Sequence, residues 1–317
     1  MFRPTAADAM PDSRIQRTPS DAPLVDVMNG DARWEIKVHD HGLVALVDAM
    51  PRLVPEGQTV DFAIVQAARV SYGAGTKKIN EDRGLIRYLM RHWHSTPFEM
   101  VELKFHCRMP IFVARQWVRH RTANINEYSA RYSVVPDRFY KPDRADLQSQ
   151  SATNKQGRGE QLDDATADSF LTHLEQVEQT GYGHYEAFLQ KGLARETARI
   201  ALPQNAYTEW YWKCDLHNVF RFLRLRLDPH AQKEIRDYAQ AMYDLMKPLC
   251  PVACEAFEDY QLGGVQLTRL ELEALKTGEP LASDNKREQA EWEAKRAMFD
   301  RATDAGGAQH PPRSRSA

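Results

Sequence analysis

The sequence has little cysteine, almost no net charge and no long apolar run. Four cysteines among 317 residues are too few and too scattered for a disulfide scaffold, so a reducing cytoplasm is the expected location. Forty-two Lys and Arg against 44 Asp and Glu give a net charge of -2, which excludes a globally basic nucleic-acid binder. No apolar run approaches the roughly 18 residues of a membrane-spanning helix, and residues 1–29 lack the apolar stretch of a signal peptide. The chain also lacks the GxGxxG fingerprint of a Rossmann-type dinucleotide site.

Helical and strand patterns occupy the chain between two polar ends. Hydrophobic residues make up 42% and charged residues 27%, which is typical of a globular protein. Strict alternation of apolar and polar residues over 101–109 predicts a strand, and the aromatic run 207–214 predicts a second. Apolar residues at helical spacing predict helices over most of the second half. We therefore predict an α+β fold: a single domain with a small, mostly antiparallel sheet surrounded by helices.

Changes in composition divide the chain into three predicted parts. Residues 1–33 are expected to be a disordered leader, since they have too little apolar surface to offset the entropy of ordering. Residues 34–283 are expected to form the folded domain, and within it the polar segment 143–159 is predicted to be a surface loop without helix or strand. Residues 284–317 predict a charged helix, 285–301, followed by a disordered tail.

Individual residues predict where several helices begin. Thr59 and Asn80 are expected to cap two helices in the first third of the chain, and Asp215 to cap one in the second half. Pro110 suits the first position of a short helix that continues to residue 121, because that position needs no N–H donor.

The densest group of polar residues begins with Arg-His-Arg at 119–121 and continues through Glu127, Ser129 and Arg131. The two arginines flank the histidine, so on an extended or irregular segment they lie on one side and the histidine on the other. Ser129 and Arg131 would likewise point together, a spacing suited to holding a phosphate by a hydroxyl and a guanidinium. The alternative is a solvated basic turn neutralised by Glu127. The position directly after an apolar helix favours an anion site.

The cysteines are predicted to fill the core rather than to react, because free cysteine packs as a small hydrophobic residue. His92 and His94 lack a nearby carboxylate at ligand spacing, and no cysteine pair has two further ligands nearby, so no metal site is predicted. The cysteines are Cys107, Cys214, Cys250 and Cys254.

The segment RHRTANINEYSARY, 119–132, resembles the signature of flavin-dependent thymidylate synthases. Five further segments are similar to that family in order and spacing: AARVSY at 67–72, HSTPFE at 94–99, PIFVARQW at 110–117, ARIALP at 198–203 and LRLRLDPHAQKEIR at 223–236. The likeness covers about residues 38–261. It implies the thymidylate synthase-complementing fold of that family and makes 34–283 its catalytic domain.

The resemblance also implies a reaction and an assembly. Such enzymes make dTMP from dUMP with the one-carbon unit of 5,10-methylenetetrahydrofolate and a hydride from reduced FAD, which NADPH regenerates. They need no cysteine thiolate on C6 of uracil. They are homotetramers whose FAD sites lie between subunits, so the expected partners are dUMP, folate, NADPH and further copies of this chain, with no nucleic acid and no membrane.

Two overlapping sets of site residues follow from the resemblance. Arg131 and Arg199 would clamp the dUMP phosphate, and Arg226 would be the catalytic residue that stabilises negative charge on the pyrimidine. Residue chemistry alone favours Arg226 as a cation placed at a helix C-terminus, and the resemblance reverses that preference. The dUMP set is Gln116, Arg119, Glu127, Tyr128, Ser129, Ala130, Arg131, Arg199 and Arg226. The FAD set is Ser71, His94, Thr96, Arg119, His120, Arg121, Glu127, Asp215, His217 and Arg221.

A binding module for RNA is the alternative from another class. It would use the arginines of 119–121 together with the aromatic strand 207–212, since aromatic and arginine side chains bind single strands. The negative net charge and the separation of these segments along the chain argue against it.

Overall fold

An antiparallel sheet forms the centre of the computed structural model, which describes residues 16–19, 32–52, 54, 58–71, 82–151 and 157–304. Six strands lie side by side in the order β1 (Gln16–Pro19), β2 (Ala32–Val38), β3 (Gly42–Met50), β4 (Glu102–Pro110), β8 (Tyr207–Asp215) and β5 (Asn124–Glu127). A separate two-stranded hairpin pairs β6 (Gln148–Gln150) with β7 (Arg158–Gln161). The predicted α+β fold is confirmed.

Helices lie between these strands and after them along the chain. They are α1 (Asp61–Val70), α2 (Asp82–Arg91), α3 (Thr96–Glu99), α4 (Ile111–Trp117), α5 (Asp164–Gln190), α6 (Arg195–Ala198), α7 (Leu216–Arg226), α8 (Lys233–Met246), α9 (Pro251–Phe257), α10 (Arg269–Thr277) and α11 (Lys286–Asp304). Two short 3-10 turns, Arg144–Asp146 and Arg199–Ala201, and a π-helical turn, Glu258–Leu262, complete the assignment. In the described ranges no helix is both long enough and apolar enough to cross a bilayer.

The alternating pattern of β4 fixes which face of the sheet meets the core. Phe105 and Cys107 are fully buried and lie opposite Trp212 and Trp210 of β8. Against this aromatic layer Trp117, at the end of α4, stacks on Phe222 of α7 with ring centroids 4.8 Å apart. The stack holds α4 and α7 on the same wall of the core, and their C-terminal ends carry the candidate site.

The structure differs from the sequence prediction in the two polar segments. Within the predicted leader, Gln16–Pro19 pairs as β1 with β2, whereas residues 1–15 and 20–31 lie outside the described residues. The predicted loop 143–159 contains a 3-10 turn, strand β6 and the start of β7; its residues 152–156 are outside the description. The prediction of a loop without secondary structure was therefore wrong. Arg158 of β7 holds the hairpin to α8 through hydrogen bonds of 2.6 and 2.7 Å to the buried Glu234. The hairpin has no periodic apolar pattern from which this contact could be predicted.

Two predicted helix starts also differ. Thr59 does not cap α1; its hydroxyl donates to Asp61, and the Asp61 carboxylate accepts from the N–H groups of Val252 and Ala253 at the start of α9. Pro110 ends β4 and precedes α4, which stops at Trp117 and leaves 119–121 beyond the helix. The predicted cap Asn80 lies outside the described residues.

The chain divides into two compact units, residues 1–260 and 261–317. In the first unit α5 runs without interruption through Gly181, where a Cβ would lie 3.0 Å from the Ala201 carbonyl oxygen. In the second unit Thr268 and Glu271 form a capping box at the start of α10. Trp292 on α11 is buried, so this helix is not polar all round.

Candidate active site

The ends of α4 and α7 meet at Arg226, the last residue of α7. Its Nε donates to Nε2 of His120 at 3.0 Å, and its Nη2 donates to the main-chain oxygen of Gln116 at 3.2 Å. The Gln116 side chain in turn donates to the side-chain oxygen of Gln232, just before α8. We refer to Gln116, Arg119, His120, Arg226 and Gln232 as the Arg226 cluster.

Burial and positive charge determine the ionisation of this cluster. Burial, followed by the positive charges of Arg226, Arg221 and Arg119, lowers the pKa of His120 to about 4. Burial, followed by the charge of Arg119, also lowers the pKa of Arg226, although a guanidinium remains protonated at neutral pH. At neutral pH the cluster therefore contains a neutral imidazole among cationic arginines.

Three neighbouring arginines have no neutralising carboxylate in the part of the chain that the structure describes. Arg119, Arg121 and Arg221 are exposed and form no ion pair with any residue that the structure describes. Elsewhere in the chain Arg87 and Arg108 are paired with acidic side chains. Unpaired guanidinium groups beside a half-buried one provide an environment that suits an anionic ligand.

A second group of predicted residues lies where the chain turns after β5. The N–H of Arg131 donates to the Ser129 hydroxyl at 3.3 Å, and its guanidinium contacts one oxygen of Glu196 at 3.0 and 2.9 Å. Arg199 is exposed in the 3-10 turn after α6 and has no ion pair within the described ranges. We refer to Ser129, Ala130, Arg131, Glu196 and Arg199 as the Arg131 cluster. Ser129 and Arg131 belong to a turn in which the Ser129 carbonyl accepts from the N–H groups of Tyr132 and Ser133, so this part of the segment is irregular rather than extended.

Strand β5 links the two clusters along the chain. Glu127, its last residue, accepts a hydrogen bond of 2.7 Å from the hydroxyl of Thr208 on β8. The next residue, Tyr128, donates its N–H to the Glu209 carbonyl and its hydroxyl to the Val134 carbonyl. Among the described residues no hydrogen bond or ion pair joins the Arg226 cluster to the Arg131 cluster. One copy of the chain thus holds most of the predicted dUMP residues in two groups that no hydrogen bond or ion pair among the described residues joins directly.

The remaining residues of the FAD set lie on several elements. Ser71 is exposed at the end of α1, and His94 and Thr96 are exposed around the start of α3. Both carboxylate oxygens of Asp215 already bond Asn218, one to its N–H at 2.9 Å and one to its side-chain amide at 2.8 Å. Asp215 is therefore the predicted helix cap. His217 follows it in the first turn of α7 and is half-buried.

The structure leaves the cysteines without exposed sulfur. All four cysteines are buried, and the Cys214 thiol donates to the Thr122 carbonyl at 3.3 Å. Burial raises the pKa of Cys214 well above its usual range, which disfavours the thiolate that a nucleophile requires. Over the described positions, no group of three or more His, Cys, Asp and Glu side chains is arranged to hold a metal ion.

The aromatic strand offers little surface to the alternative RNA-binding function. Trp210 and Trp212 are 1% exposed, and Tyr207 is buried with them. Tyr211 is exposed, but it stacks on His106 at 5.0 Å. The strand that would stack on bases is therefore mostly occupied by core packing.

Sequence reasoning missed three residues that hold the predicted ones. Gln232 bonds Gln116, Thr208 bonds Glu127, and Glu196 pairs with Arg131. These pairs are separated by 116, 81 and 65 positions. Gln232 and Glu196 lie within or beside the segments that carry the family resemblance, but no spacing along the chain indicates their contacts.

Known proteins resemble this chain in both sequence and structure. The family model described as thymidylate synthase complementing protein matches residues 52–252. A flavin-dependent thymidylate synthase of Dictyostelium discoideum is 61% identical over 285 residues, which cover 90% of this chain and 94% of the relative. A flavin-dependent thymidylate synthase of Ruegeria pomeroyi is 55% identical over 243 residues, which cover 75% of this chain and 78% of the relative. A crystal structure of a UMP/dUMP methylase PolB from Streptomyces cacaoi, bound with 5-Br dUMP, matches with a TM-score of 0.62 at 33% identity over 71% of this chain and 98% of that one.

These matches define the class of protein to which the chain belongs. The chain belongs to the thymidylate synthase complementing protein family. Its curated relatives are flavin-dependent thymidylate synthases, so the resemblance found in the sequence motifs and the predicted enzyme class are both confirmed.

Proposed function

We propose that the chain makes dTMP from dUMP, with 5,10-methylenetetrahydrofolate as the one-carbon donor. Overall, dUMP, methylenetetrahydrofolate, NADPH and a proton give dTMP, tetrahydrofolate and NADP⁺. Bound FAD would accept a hydride from NADPH and deliver it to the transferred carbon. The observation that carries the proposal is a partly buried Arg226 in a chain of this family, fixed by two hydrogen bonds beside arginines that have no ion pair with any described residue.

Arg226 is proposed to activate the pyrimidine. C5 of uracil is a weak nucleophile and becomes stronger when negative charge develops on the ring at N3 and O4. A guanidinium that is already oriented and partly desolvated stabilises such charge without reorganising at the moment of reaction. This role suits a chain whose thiols are all buried, because it replaces thiolate addition at C6.

The Arg131 cluster is proposed to bind the nucleotide phosphate. Arg131 and Arg199 supply guanidinium donors, and Ser129 supplies a hydroxyl, a combination that suits a phosphate dianion. Gln116, Arg119, Glu127, Tyr128 and Ala130 would complete the dUMP site.

The side chains in and around the Arg226 cluster have the donor chemistry that FAD requires. A diphosphate needs cationic donors, and Arg119, Arg121 and Arg221 are exposed without ion pairs in the described residues. Ser71, His94, Thr96, His120, Glu127 and His217 would provide further hydrogen bonds, whereas Asp215 is the least suitable because its oxygens are engaged.

We further propose a homotetramer with shared sites. The lack of a direct hydrogen bond or ion pair between the Arg226 and Arg131 clusters, over the residues that the structure describes, is expected if each complete site takes residues from two subunits. In addition, α5 exposes Phe170, Val177 and Phe188, which are 46%, 40% and 46% exposed. Their spacing of 7 and 11 residues places them on one stripe of the helix. An apolar stripe of this kind supports burial against a second copy.

The test begins with the purified chain. We expect a flavin absorbance spectrum that bleaches with NADPH, and dTMP formation from dUMP and methylenetetrahydrofolate measured by chromatography. Arg226→Ala should retain flavin and dUMP binding but lose turnover, because its charge is needed mainly in the transition state.

Arg224→Ala is the matched control. Arg224 lies two residues earlier on the same helix, with its guanidinium 5.6 Å from the Trp93 ring centroid, and belongs to neither site set. Its replacement removes the same charge and should leave turnover close to that of the unsubstituted chain. A colourless protein without dTMP formation, or equal loss in both variants, would refute the proposed function.

A further inference from the structure

His120 has a contact with Arg226 that the predicted FAD role does not explain. The Nε–H of a guanidinium is always a donor, so the nitrogen that faces it at 3.0 Å, His120 Nε2, must be the acceptor. The imidazole proton therefore resides on Nδ1. A protonated ring would place two donors, and two positive charges, against each other.

The surroundings of His120 maintain this acceptor. Arg119, Arg221 and Arg226 are the charged groups that act on the ring, all three are cationic, and burial adds to their effect. Phe222 of α7 packs edge-on against the ring, with centroids 5.0 Å apart and planes at 77°. Phe222 is itself fully buried and stacked on Trp117, so the ring orientation is fixed from the core.

The consequence appears in the geometry of Arg226. His120 Nε2 and the Gln116 carbonyl together occupy the edge of the guanidinium formed by Nε and Nη2. Nη1, which forms the other planar edge together with the outer N–H of Nη2, has no partner among the residues that the structure describes. A guanidinium held by one edge presents the other in a fixed direction, which is what two-point recognition of a planar ring requires.

We propose that His120 is a positioning residue, whose neutral imidazole fixes one edge of Arg226 so that the other edge meets the pyrimidine. The inference rests on the proposed function, because it assigns to Arg226 the role given above. Losing one hydrogen bond to a charged group is worth about 1.5–3 kcal/mol, or about 10- to 100-fold. Since the bond orients a group that acts on developing charge, the loss should fall on kcat more than on KM for dUMP.

The test compares two substitutions of His120 whose amide side chains differ in length. In His120→Gln the side-chain oxygen lies near the place of Nε2 and still accepts from Arg226, whereas in His120→Asn it lies near the place of Nδ1 and does not. We expect the glutamine variant to keep kcat within about fivefold of the unsubstituted chain, and the asparagine and alanine variants to lose about 10- to 100-fold. Flavin content, KM for dUMP and the melting temperature are measured on each variant.

Each outcome decides the matter. Full kcat in all three variants, asparagine equal to or better than glutamine, or loss of kcat in proportion to flavin would overturn the positioning role. Should the alanine variant not fold, the two amides still give the comparison. If the unsubstituted chain makes no dTMP, or Arg226→Ala remains active, the proposed function fails instead, and the two failures are thereby distinguished.

Discussion

The ion pair between Arg131 and Glu196 leads us to predict that removing the charge of Glu196 tightens dUMP binding. Both side chains are more than half exposed, at 58% and 54%, and the Arg131 donors Nε and Nη2 both contact one Glu196 oxygen. A phosphate that binds the same edge of Arg131 must share these donors with Glu196 or displace it, and a phosphate on the other edge is still repelled by the nearby carboxylate charge. Removing the carboxylate charge should therefore favour the nucleotide.

The expected effect follows from the exposure of the pair. Exposed ion pairs are worth about 0.2–1 kcal/mol, so Glu196→Gln should tighten dUMP binding by about 1.4- to 5-fold. Arg131→Ala should weaken it by about 10- to 100-fold, the loss expected for a charge-assisted hydrogen bond. Isothermal titration of the flavin-loaded protein with dUMP measures both. The gain from Glu196→Gln should shrink as salt is added, because exposed charges are screened.

Glu186→Gln provides a control for the removal of one acidic charge. Glu186 is exposed on α5 and belongs to neither cluster. Its substitution should change dUMP affinity by less than that of Glu196. If Glu196→Gln weakens binding instead, Glu196 contributes to the substrate site directly, and the competition argument is wrong.

Three further predictions use simpler assays. Arg199→Ala should raise the dUMP concentration for half-saturation with little change in kcat; unchanged saturation would remove it from the phosphate site. Cys214→Ala should retain turnover, since its thiol is buried and protonated, and a folded but inactive variant would contradict a thiolate-free reaction. Asp61→Ala should lower the free energy of unfolding by about 2–6 kcal/mol in denaturant titrations, because two N–H groups of α9 lose their acceptor. Burial raises the pKa of Asp61 from 3.8 to about 6, so the free energy of unfolding should fall as pH rises from 3.8 to about 6, where the folded state binds more protons than the unfolded chain, and Asp61→Asn should flatten that dependence.

The sheet was predictable wherever a single strand carries its own pattern. Alternation in β4 and the aromatic run of β8 each indicate a buried face locally, and they pair over nine residues. The hairpin of β6 and β7 has no such signal, since all of its strand residues are exposed and it is held by the contact of Arg158 with Glu234, 76 positions away. Local composition cannot indicate a distant ion pair.

The candidate site shows the same limit. The motif 119–131 identifies its residue types, and the family resemblance adds Arg226. The contact between His120 and Arg226 spans 106 positions and depends on how α4 and α7 pack in the core. The sequence thus predicts which residues take part, whereas their partners and protonation follow only from the assembled fold.

The stack of Trp117 on Phe222 has a consequence for how this enzyme would tolerate change. The two rings are buried in the core, yet they set the spacing of the helix ends that carry Gln116, His120 and Arg226. A smaller ring at either position would leave a void into which one helix end relaxes, and an error of a fraction of an ångström at the reacting groups follows. Substitutions at Trp117 or Phe222 should therefore lower turnover in a protein that still folds, and only larger changes should unfold it.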